Sequence, residues 1–480
     1  MEGLSDRQVD AIAGRLAARL RGEVSGNVAE TGGDIAPQFG EGIFPDVDSA
    51  VAAATTAYRH LADASLGLRE KMIVAIRAAM ESSSEDLARL AHEETGLGRL
   101  EDKVQKNLLV TRKTPGTEVL VAGAKTGDRG LTLFEYAPYG VIGSITPTTN
   151  PTSTIICNSI GMLAAGNSVV FNVHPGAKNC SMETVRRINR AIRSAGGPES
   201  LVTTVSAPTV ESAQELMRHA GVRLLVVTGG AGVVKEAMQS GKRAICAGPG
   251  NPPVVVDASA DLEQAGRDIV LGASFDNNII CVDEKEVFVV REAAEELLAS
   301  MKAQGAYLLD SAELRRLERV IFEKSRGPGK PAVVKKEWIG QNAGGILSEI
   351  GIRAGSDIRL AVADVPLDHP LVWTEQMMPV LPLVRTESVD RAIDLACEAE
   401  HGFGHSASMH SRDIDALSRM ARVINASIFV KNAPLYAGLG QGGEGYSSFT
   451  IASPTGEGLT GPISFSRLRR CVMVDHFRIV

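Results

Sequence analysis

The sequence predicts an α/β fold built on parallel sheets with helices on both faces. From residue 139 onward, short runs rich in Val, Ile and Leu alternate with helical patterns, the order that produces parallel strands joined by helices. The chain also has 49 glycines and only 4% aromatic residues, which suits many tight turns between strands and helices. At 480 residues it is too long for one simple core, so two or three lobes are expected.

Composition argues against several classes of protein. The chain is 44% hydrophobic and 22% charged, which is ordinary for a soluble globular protein. Its net charge of −7 gives no overall attraction to nucleic acid or to an anionic membrane, so neither partner is expected. No apolar run is long enough to span a bilayer, and the polar N-terminus shows no secretory signal. Scattered cysteines without a paired motif argue against structural zinc and a secreted disulfide scaffold, and favour a reducing cytosol.

The first residues read as a separate unit. Residues 1–22 place Val9, Ile12, Leu16 and Leu20 at helical spacing, with charged side chains on the other faces. Residues 23–42 are rich in glycine and polar residues, which is typical of a flexible linker. So short a helix is not stable by propensity alone, so it should dock on the body or bind a partner. A frayed N-terminus is the equally open alternative.

The folded body should begin near residue 44. Amphipathic patterns predict helices over residues 46–66, 68–82 and 84–94, and residues 117–121 and 131–136 read as two strands around a turn at 125–130. Residues 469–477 alternate and suit pairing with a sheet in another subunit. The remaining predicted strands cover residues 139–146, 168–172, 201–205, 224–227, 253–256, 284–290, 381–384 and 429–432, and predicted helices cover 152–164, 179–195 and 388–398.

Several polar and glycine residues directly follow predicted strands. Ligands of parallel sheets bind beyond the carboxyl ends of the strands, so these positions are binding candidates. The glycine-rich turn at 228–232 starts a helix and could receive a phosphate through its backbone N–H groups. It lacks the Gly-x-Gly-x-x-Gly fingerprint, so a tight structural turn is as compatible with it. The residues that fall at strand ends are Asn150, His174, Pro208, Thr228, Gly229 and Gly230.

The stretch at residues 271–290 places Cys281 between an amide-rich turn and an alternating strand. Residues 275–278 read as the turn, because Asp and Asn side chains hydrogen-bond their own backbone. A thiol at this junction has backbone N–H groups nearby and a route to substrate, so Cys281 is a candidate nucleophile. The alternative is a small buried hydrophobic residue, as most free cysteines are. Cys157 has a similar Ile-Ile-Cys context but lies within a predicted helix, so it is expected in the core.

These motifs follow one another in a characteristic order: Thr-Pro-x-x-Asn-Pro after a strand, His-Pro after the next, a Thr-Gly-Gly turn, a lone Cys, then Glu-x-x-x-Pro. The set resembles the aldehyde dehydrogenase superfamily over residues 44–480. The stretch ASFDNNIICVDEKEV, the Asn-x-His-Pro of 172–175 and the Gly-Pro-Gly-Asn-Pro of 248–252 resemble its CoA-acylating branch. They are similar in particular to the propionaldehyde and acetaldehyde dehydrogenases of bacterial microcompartments.

The resemblance implies a domain organisation. A nucleotide-binding Rossmann-type domain would take residues 43–118 and 138–253, and a catalytic domain residues 254–436. Residues 119–137 and 463–480 would form a β oligomerisation arm of a homodimer or homotetramer, and 437–462 loops returning to the active site. Residues 1–22 would be an encapsulation peptide that binds microcompartment shell protein in the bacterial cytoplasm.

The resemblance also implies roles for single residues. Cys281 would be the nucleophile, Asn150 part of the oxyanion hole, and Glu375 the residue that holds the nicotinamide ribose, with NAD as cofactor and coenzyme A as co-substrate. No metal is expected, and no histidine is placed as a base by its pattern. The cofactor-binding candidates are Thr146, Pro147, His174, Pro175, Gly176, Pro208, Thr228, Gly229, Gly230, Gly248, Glu375 and Pro379.

Two departures from the hydrolytic members concern His174 and Ala247. His174 stands where they have a lysine, and Ala247 stands where they have a glutamate. Water needs a general base at neutral pH, whereas a thiol of pKa about 8.5 needs far less help. A thioester on Cys281 should therefore pass to coenzyme A in a ping-pong reaction, with NADH leaving first. The open alternative is Glu375 as the base.

Other activities stay open at this stage. A glutamyl-phosphate-reductase-like enzyme would use the same scaffold with an acyl phosphate, and a non-catalytic microcompartment scaffold would use only the N-terminal helix. The sequence leaves the choice between acetaldehyde and propionaldehyde open, because one methylene changes binding by only about 1–3 kcal/mol. The preference for NAD over NADP is likewise only implied by the resemblance.

Overall fold

The computed structural model describes residues 39–355 and 357–480. The predicted helix over residues 1–22 and all but the last four residues of the predicted linker lie outside the described residues. None of the helices in these two ranges combines the length and apolar character needed to cross a membrane.

The α/β fold class predicted from the sequence is confirmed. The α-helices of the described residues are α1 (Val47–Ala62), α2 (Leu66–Ser82), α3 (Ser84–Thr95), α4 (Leu100–Lys113), α5 (Pro151–Ala164), α6 (Lys178–Ser194), α7 (Val210–Arg218), α8 (Ala231–Gln239), α9 (Leu262–Ser274), α10 (Ala294–Ala303), α11 (Ser311–Ile321), α12 (Ala343–Ser348), α13 (Val389–Ala399) and α14 (Ile414–Val423). The strands are β1 (Ile43–Phe44), β2 (Gly123–Gly127), β3 (Gly130–Pro138), β4 (Val141–Ile145), β5 (Ser168–Asn172), β6 (Val202–Val205), β7 (Val222–Thr228), β8 (Ala244–Ala247), β9 (Pro253–Val256), β10 (Glu286–Val290), β11 (Ala306–Leu309), β12 (Phe322–Lys324), β13 (Val333–Val334), β14 (Leu360–Asp364), β15 (Val380–Thr386), β16 (Ser406–His410), β17 (Ile428–Lys431), β18 (Ile451–Ala452), β19 (Gly458–Leu459) and β20 (Ser466–Val474).

The first sheet is parallel throughout and has the strand order β1-β6-β5-β4-β7-β8. Strands β4 and β5 are completely buried, because helices cover both faces of the sheet. From β4 the chain adds β5 and β6 on one side, and then returns to add β7 and β8 on the other. This reversal opens a crevice beyond the carboxyl ends of β4, β5 and β7, which is where doubly wound sheets bind ligands.

The second sheet is also parallel and has the order β11-β14-β15-β10-β9-β16-β17. Its strand β10 lies between β9 and β15 and is buried along its whole length. The turn that carries Cys281 leads directly into this strand. Cys281 is therefore positioned by an inner strand of the sheet and not by an edge strand.

A small antiparallel sheet of β2, β3 and β20 forms an exposed arm. The prediction of a strand at residues 117–121 is wrong: Thr117–Val119 is a 3₁₀ turn, and the hairpin strand begins at Gly123. The pairing of Gly127 with Gly130 closes a two-residue turn, so residues 125–127, predicted as turn, extend β2. The predicted final strand at 469–477 starts three residues earlier, at Ser466, where it pairs with Pro138.

The three early helices lie near their predicted positions, but α1 ends at Ala62, four residues before the predicted end, and α2 begins at Leu66, two residues before the predicted start. Side-chain caps fix the starts of both helices. The Asp46 carboxylate accepts the backbone N–H of Ser49 at 2.7 Å, and the Ser65 hydroxyl accepts that of Leu68 at 3.3 Å. Helix α4 has no counterpart among the predicted elements. Its inner face holds charged residues where an amphipathic pattern needs apolar ones, so it lacks the periodicity on which helix prediction depends. The buried residues of α4 are Asp102, Lys103, Lys106, Asn107, Val110 and Thr111.

Candidate active site

A cavity of about 680 Å³ opens beyond the carboxyl ends of β4, β5, β7 and β8. The turn that carries Cys281 lies along one side of the cavity, and residues of the 439–451 segment close it. Two candidates that are far apart in the chain, Cys281 and Asn150, line this same space. The arrangement follows from topology, since parallel strands deliver the residues that follow them to one edge.

Most of the site residues predicted from the sequence lie on this cavity. They come from the turns after β4, β5, β7 and β8, from the cysteine turn, and from the segment before β15. The predicted site residues that line the cavity are Thr146, Pro147, Asn150, His174, Pro175, Thr228, Gly229, Gly230, Gly248, Cys281 and Glu375.

Three predicted residues, Gly176, Pro208 and Pro379, are not part of the lining. The backbone N–H of Gly176 donates to His174 Nδ1 at 3.1 Å, so it shapes the turn that presents the histidine. Pro208 is buried beside Thr209, and Thr209 is the residue that faces the cavity. The Pro379 carbonyl accepts the backbone N–H of Ala361 at 2.9 Å, which places Pro379 in the sheet ladder.

Cys281 follows a turn with strongly constrained backbone. Asp276, Asn277 and Asn278 all have left-handed φ angles, of 44°, 56° and 66°. Asp and Asn adopt this conformation more readily than other residues with a side chain, which explains the amide-rich composition of the turn. Lys285 stabilises the end of the turn, because its ammonium donates to the Asn278 carbonyl at 2.9 Å and to the Ile280 carbonyl at 3.2 Å.

The Cys281 thiol is half-buried. Burial raises its pKa to about 12, and the negative charge of Glu375 adds to that increase, while the ammonium of Lys285 opposes it. Any positive charge brought against the sulfur would lower this pKa, since an opposite charge stabilises the thiolate. The surroundings of Cys281 therefore favour the thiol over the thiolate, and a ligand that brings positive charge to the sulfur would favour the thiolate.

Asn150 is held in one orientation by two neighbours. It is 8% exposed and lies at the start of helix α5. Its Oδ1 accepts a hydrogen bond from Lys106 Nζ at 2.7 Å, and its Nδ2 donates to Thr149 Oγ1 at 3.1 Å. A carboxamide carries two N–H bonds, so one of them stays available to a ligand oxygen.

Ala247, which the resemblance aligns with the glutamate of hydrolytic members, brings only a methyl group to the cavity. Ala247, the last residue of β8, lines the cavity. Glu375 and Glu236 are carboxylates on the lining, and Glu375 Oε1 accepts the backbone N–H of Gly250 at 3.4 Å. Burial raises the pKa of Glu375, an effect opposed by the charge of Lys285 and by the Gly250 N–H.

Two residues next to the segments that carry Asn150 and Cys281 were not found from the sequence. Lys106 lies on the unpredicted helix α4. His405 is 1% exposed and precedes β16, and burial together with the charge of Lys285 lowers its pKa to about 4. A side chain at Gly250 would approach both the Cys281 carbonyl oxygen and the His405 ring to 3.0 Å, so the glycine permits this close packing. For His405, the only available signal in the sequence was its spacing from His401 across a Gly-Phe-Gly turn.

Cys157 lies in the core as expected. It is on helix α5, is 3% exposed and packs in the main hydrophobic cluster under the first sheet. Burial raises its pKa, and it is absent from the cavity lining. The two Ile-Ile-Cys motifs therefore differ in tertiary position, although their local sequences are alike.

Comparison with known proteins identifies the family. A model of the aldehyde dehydrogenase family matches residues 32–310. The chain is 50% identical over 440 residues to an acetaldehyde dehydrogenase (acetylating) of Salmonella typhimurium, covering 92% of this chain and 94% of that protein.

Two solved structures support the same assignment. A propionaldehyde dehydrogenase of Rhodopseudomonas palustris, with bound CoA and an acylated cysteine, is 50% identical with a TM-score of 0.88, covering 91% of this chain and 99% of that one. A propionaldehyde dehydrogenase from the fucose utilisation bacterial microcompartment of Clostridium phytofermentans is 46% identical with a TM-score of 0.89, covering 92% of this chain and 100% of that one. The fold, the cavity and these relatives together show that the chain belongs to the aldehyde dehydrogenase family, in its CoA-acylating branch.

Proposed function

We propose that this protein oxidises acetaldehyde or propionaldehyde to the corresponding acyl-CoA, with NAD as hydride acceptor, through a thioester on Cys281. The observation that supports it most is the meeting of Cys281, Asn150 and Ala247 on one cavity. This combination offers a nucleophile, an oxyanion donor and a methyl group where a hydrolytic base would stand. The first half-reaction needs the first two groups, and the choice of acyl acceptor depends on the third.

In the first half-reaction the Cys281 thiolate adds to the aldehyde carbon, forming a C–S bond and an oxyanion. The available N–H of Asn150 and the backbone N–H of Cys281 donate to this oxygen. Such donors stabilise charge that develops only in the transition state. Collapse of the oxyanion breaks the C–H bond and leaves an acyl thioester on Cys281.

The cavity contains features that suit a nicotinamide dinucleotide. The turn Gly229–Gly230 leads into helix α8, whose nine residues begin at Ala231, so its N-terminal N–H groups can receive a phosphate. Glu375 lies near Cys281 and would hold the ribose next to the nicotinamide. When bound, the nicotinamide accepts the hydride that leaves the substrate carbon. The first sheet would thus be the nucleotide-binding domain and the second the catalytic domain.

In the second half-reaction the acyl group leaves Cys281 for an external nucleophile. Water would need a base to take its proton, and Ala247 offers none. A small fraction of the coenzyme A thiol is ionised at neutral pH, and this thiolate attacks the thioester carbonyl. The C–S bond to Cys281 breaks, acyl-CoA is released, and the Cys281 thiolate takes up the proton that the coenzyme A thiol lost. Asn150 would stabilise the oxyanion of this step as well.

NADH formation is expected to depend on coenzyme A. With propanal and NAD but without coenzyme A, absorbance at 340 nm should show a burst of about one NADH per active site. The steady rate after the burst should be at least about tenfold below the rate with coenzyme A, since an unassisted water attacks slowly. The acyl-CoA product is measured by chromatography in the same samples. Full-rate formation of free propionate without coenzyme A would contradict the proposal.

A compartment and a shell partner are proposed for the N-terminal segment. The apolar stripe of residues 1–22 suits a hydrophobic groove on a shell protein, and one solved relative comes from a bacterial microcompartment. The exposed apolar side chains Leu468, Val472 and Val474 on β20 suit a second copy of the chain, which would give a homodimer or homotetramer.

Deleting residues 1–22 is expected to release the enzyme from shells without changing kcat or KM. Co-purification with isolated microcompartments, measured by immunoblot, should be lost, because the apolar stripe is the proposed contact. A full-length L16E/L20E variant is the control, and it should be lost from shells as well. Light scattering should show the same oligomer for both variants, because the β20 arm is intact. Retention of the truncated enzyme in shells would contradict the assignment.

A further inference from the structure

Helix α4 turns two lysines into the protein interior, next to the two catalytic segments. Lys106 is 2% exposed and Lys103 is 3% exposed. Lys106 Nζ donates to Asn150 Oδ1 at 2.7 Å and also forms an ion pair with the Asp276 carboxylate. Asn150 opens the helix after β4, while Asp276 lies five positions before Cys281. One ammonium group therefore joins the segment of the oxyanion donor to the segment of the nucleophile.

The chemistry of an ammonium group determines which end of the Asn150 carboxamide faces it. Lysine has three N–H donors and no acceptor, so only the carboxamide oxygen can bond to Lys106. The NH₂ end must then point away from the lysine. Thr149 Oγ1 accepts one of its two N–H bonds at 3.1 Å, which leaves the other for a ligand. Without Lys106, the carboxamide could rotate by half a turn and present its oxygen to the developing oxyanion, which would repel it.

Lys106 is itself held in place by a buried network. Asp276 is completely buried, and its carboxylate also accepts the backbone N–H of Arg99 at 2.6 Å and the ammonium of Lys103 at 3.3 Å. The backbone N–H of Asp276 donates to Asp102 Oδ2 at 2.9 Å. Gly98 makes room for this packing, since a Cβ there would lie 2.0 Å from Asp276 Oδ1. These contacts fix the Asp276 carboxylate. The Lys106 ammonium, which is paired with that carboxylate, therefore has little freedom to follow a rotating Asn150 carboxamide.

We propose that Lys106 is a positioning residue that orients the Asn150 carboxamide so that an N–H, and not the oxygen, meets the oxyanion. The inference rests on the proposed function, because it concerns the oxyanion formed on the Cys281 adduct. In this proposal the contacts from Asp276 through Lys106 to Asn150 also keep the oxyanion donor and the nucleophile at a fixed relative position. Lys106 acts through Asn150 and does not itself touch the reacting atoms.

Lys103 provides a matched control on the same helix. It is as deeply buried as Lys106 and pairs with the same carboxylate, but among the described residues its ammonium donates a hydrogen bond only to Asp276. Burial, and then the charge of Lys106, lowers the pKa of Lys103 to about 8. If the only task of Lys106 were to neutralise Asp276, replacing either lysine should have similar consequences.

The test compares Lys106→Met with Lys103→Met, with the unsubstituted enzyme measured in parallel. We expect Lys106→Met to lower kcat by about 10–100-fold, short of the 10²–10³-fold typical for complete loss of an oxyanion donor. The KM for propanal and the affinity for NADH should change little. Lys103→Met should cause a much smaller loss of kcat, although both variants should lower the melting temperature. Equal kcat values for the two variants would overturn the proposal.

A double-mutant cycle separates positioning from a general structural defect. In an Asn150→Ala background, Lys106→Met should change kcat by no more than about twofold, because the group through which it acts is gone. A full, additive loss in that background would show that Lys106 acts elsewhere and would overturn the proposal. If the unsubstituted enzyme itself forms no NADH with propanal and coenzyme A, the proposed function fails instead.

A measurement without substitutions covers the case in which Lys106→Met does not fold. A crystal structure of the unsubstituted enzyme with an aldehyde-derived adduct on Cys281 should show Lys106 Nζ within hydrogen-bond distance of Asn150 Oδ1. In the same structure Asn150 Nδ2 should contact the adduct oxygen. A carboxamide that has lost Lys106 while still contacting the adduct would overturn the proposal.

Discussion

Cys281→Ala is expected to abolish NADH formation from propanal, with a loss in kcat/KM of at least about 10⁴, as for other nucleophile removals. Without the sulfur no thiohemiacetal forms, and the oxyanion donors have no adduct to stabilise. Cys281 is the only cysteine among the described residues that line the cavity, so none of these could substitute for it. The measurement is NADH formation at saturating NAD and coenzyme A, with intact-protein mass spectrometry to follow acylation after propanal and NAD.

Cys157→Ala is the matched control. Its local sequence resembles that of Cys281, yet it lies in the core and not on the cavity. Removing one buried sulfur should lower stability modestly and leave kcat/KM nearly intact, and the acyl group should still be found on Cys281. If Cys281→Ala kept its activity while Cys157→Ala lost it, the assignment of the nucleophile would be reversed.

Asn150→Ala is expected to lower kcat by about 10²–10³, which corresponds to about 2.7–4 kcal/mol of lost transition-state stabilisation. The carboxamide N–H would bond to an oxygen that carries full negative charge only after the thiolate has added. The loss should therefore be in kcat, with little change in the affinity for NADH. Steady-state kinetics and a binding titration with NADH measure the two quantities separately.

Thr149→Val serves as the control for this variant. It removes the oxygen that accepts the other N–H of Asn150 but leaves the carboxamide and its bond to Lys106 in place. We expect a small effect on kcat, because the N–H proposed to face the substrate is unchanged. If Asn150→Ala kept most of the activity of the unsubstituted enzyme, the oxyanion hole would have to be sought elsewhere on the cavity.

About half of the described strands and the main α/β organisation could be predicted because their signals are local. A buried parallel strand needs a continuous apolar run, and β5 and β9 were predicted with the boundaries that the structure has. The hairpin strand at 117–121 was misplaced because pairing register, and not composition, decides where β2 starts. Helix α4 was missed because its inner face is charged.

The residues of the candidate site also fall into two groups, those that the local sequence predicts and those that it does not. Residues that follow parallel strands, such as Asn150 and Gly229, could be named in advance, since the topology delivers strand ends to one edge. Lys106 and His405 could not, because their relation to the site depends on contacts between segments that are distant in the chain. Pro208 and Pro379 were predicted as site residues but do not line the cavity. Pro208 is buried beside the cavity residue Thr209, and Pro379 is hydrogen-bonded into the second sheet.

The sequence by itself determined the α/β class and the order of the motifs, and it made Cys281 the candidate nucleophile, because each of these depends on neighbours along the chain. Only the tertiary structure decided that Asn150 and Cys281 share one cavity, that Cys157 does not, and that a lysine on an unpredicted helix joins the two catalytic segments. The physical reason is that hydrogen bonds and ion pairs act over a few ångströms, whatever number of residues separates the groups that form them.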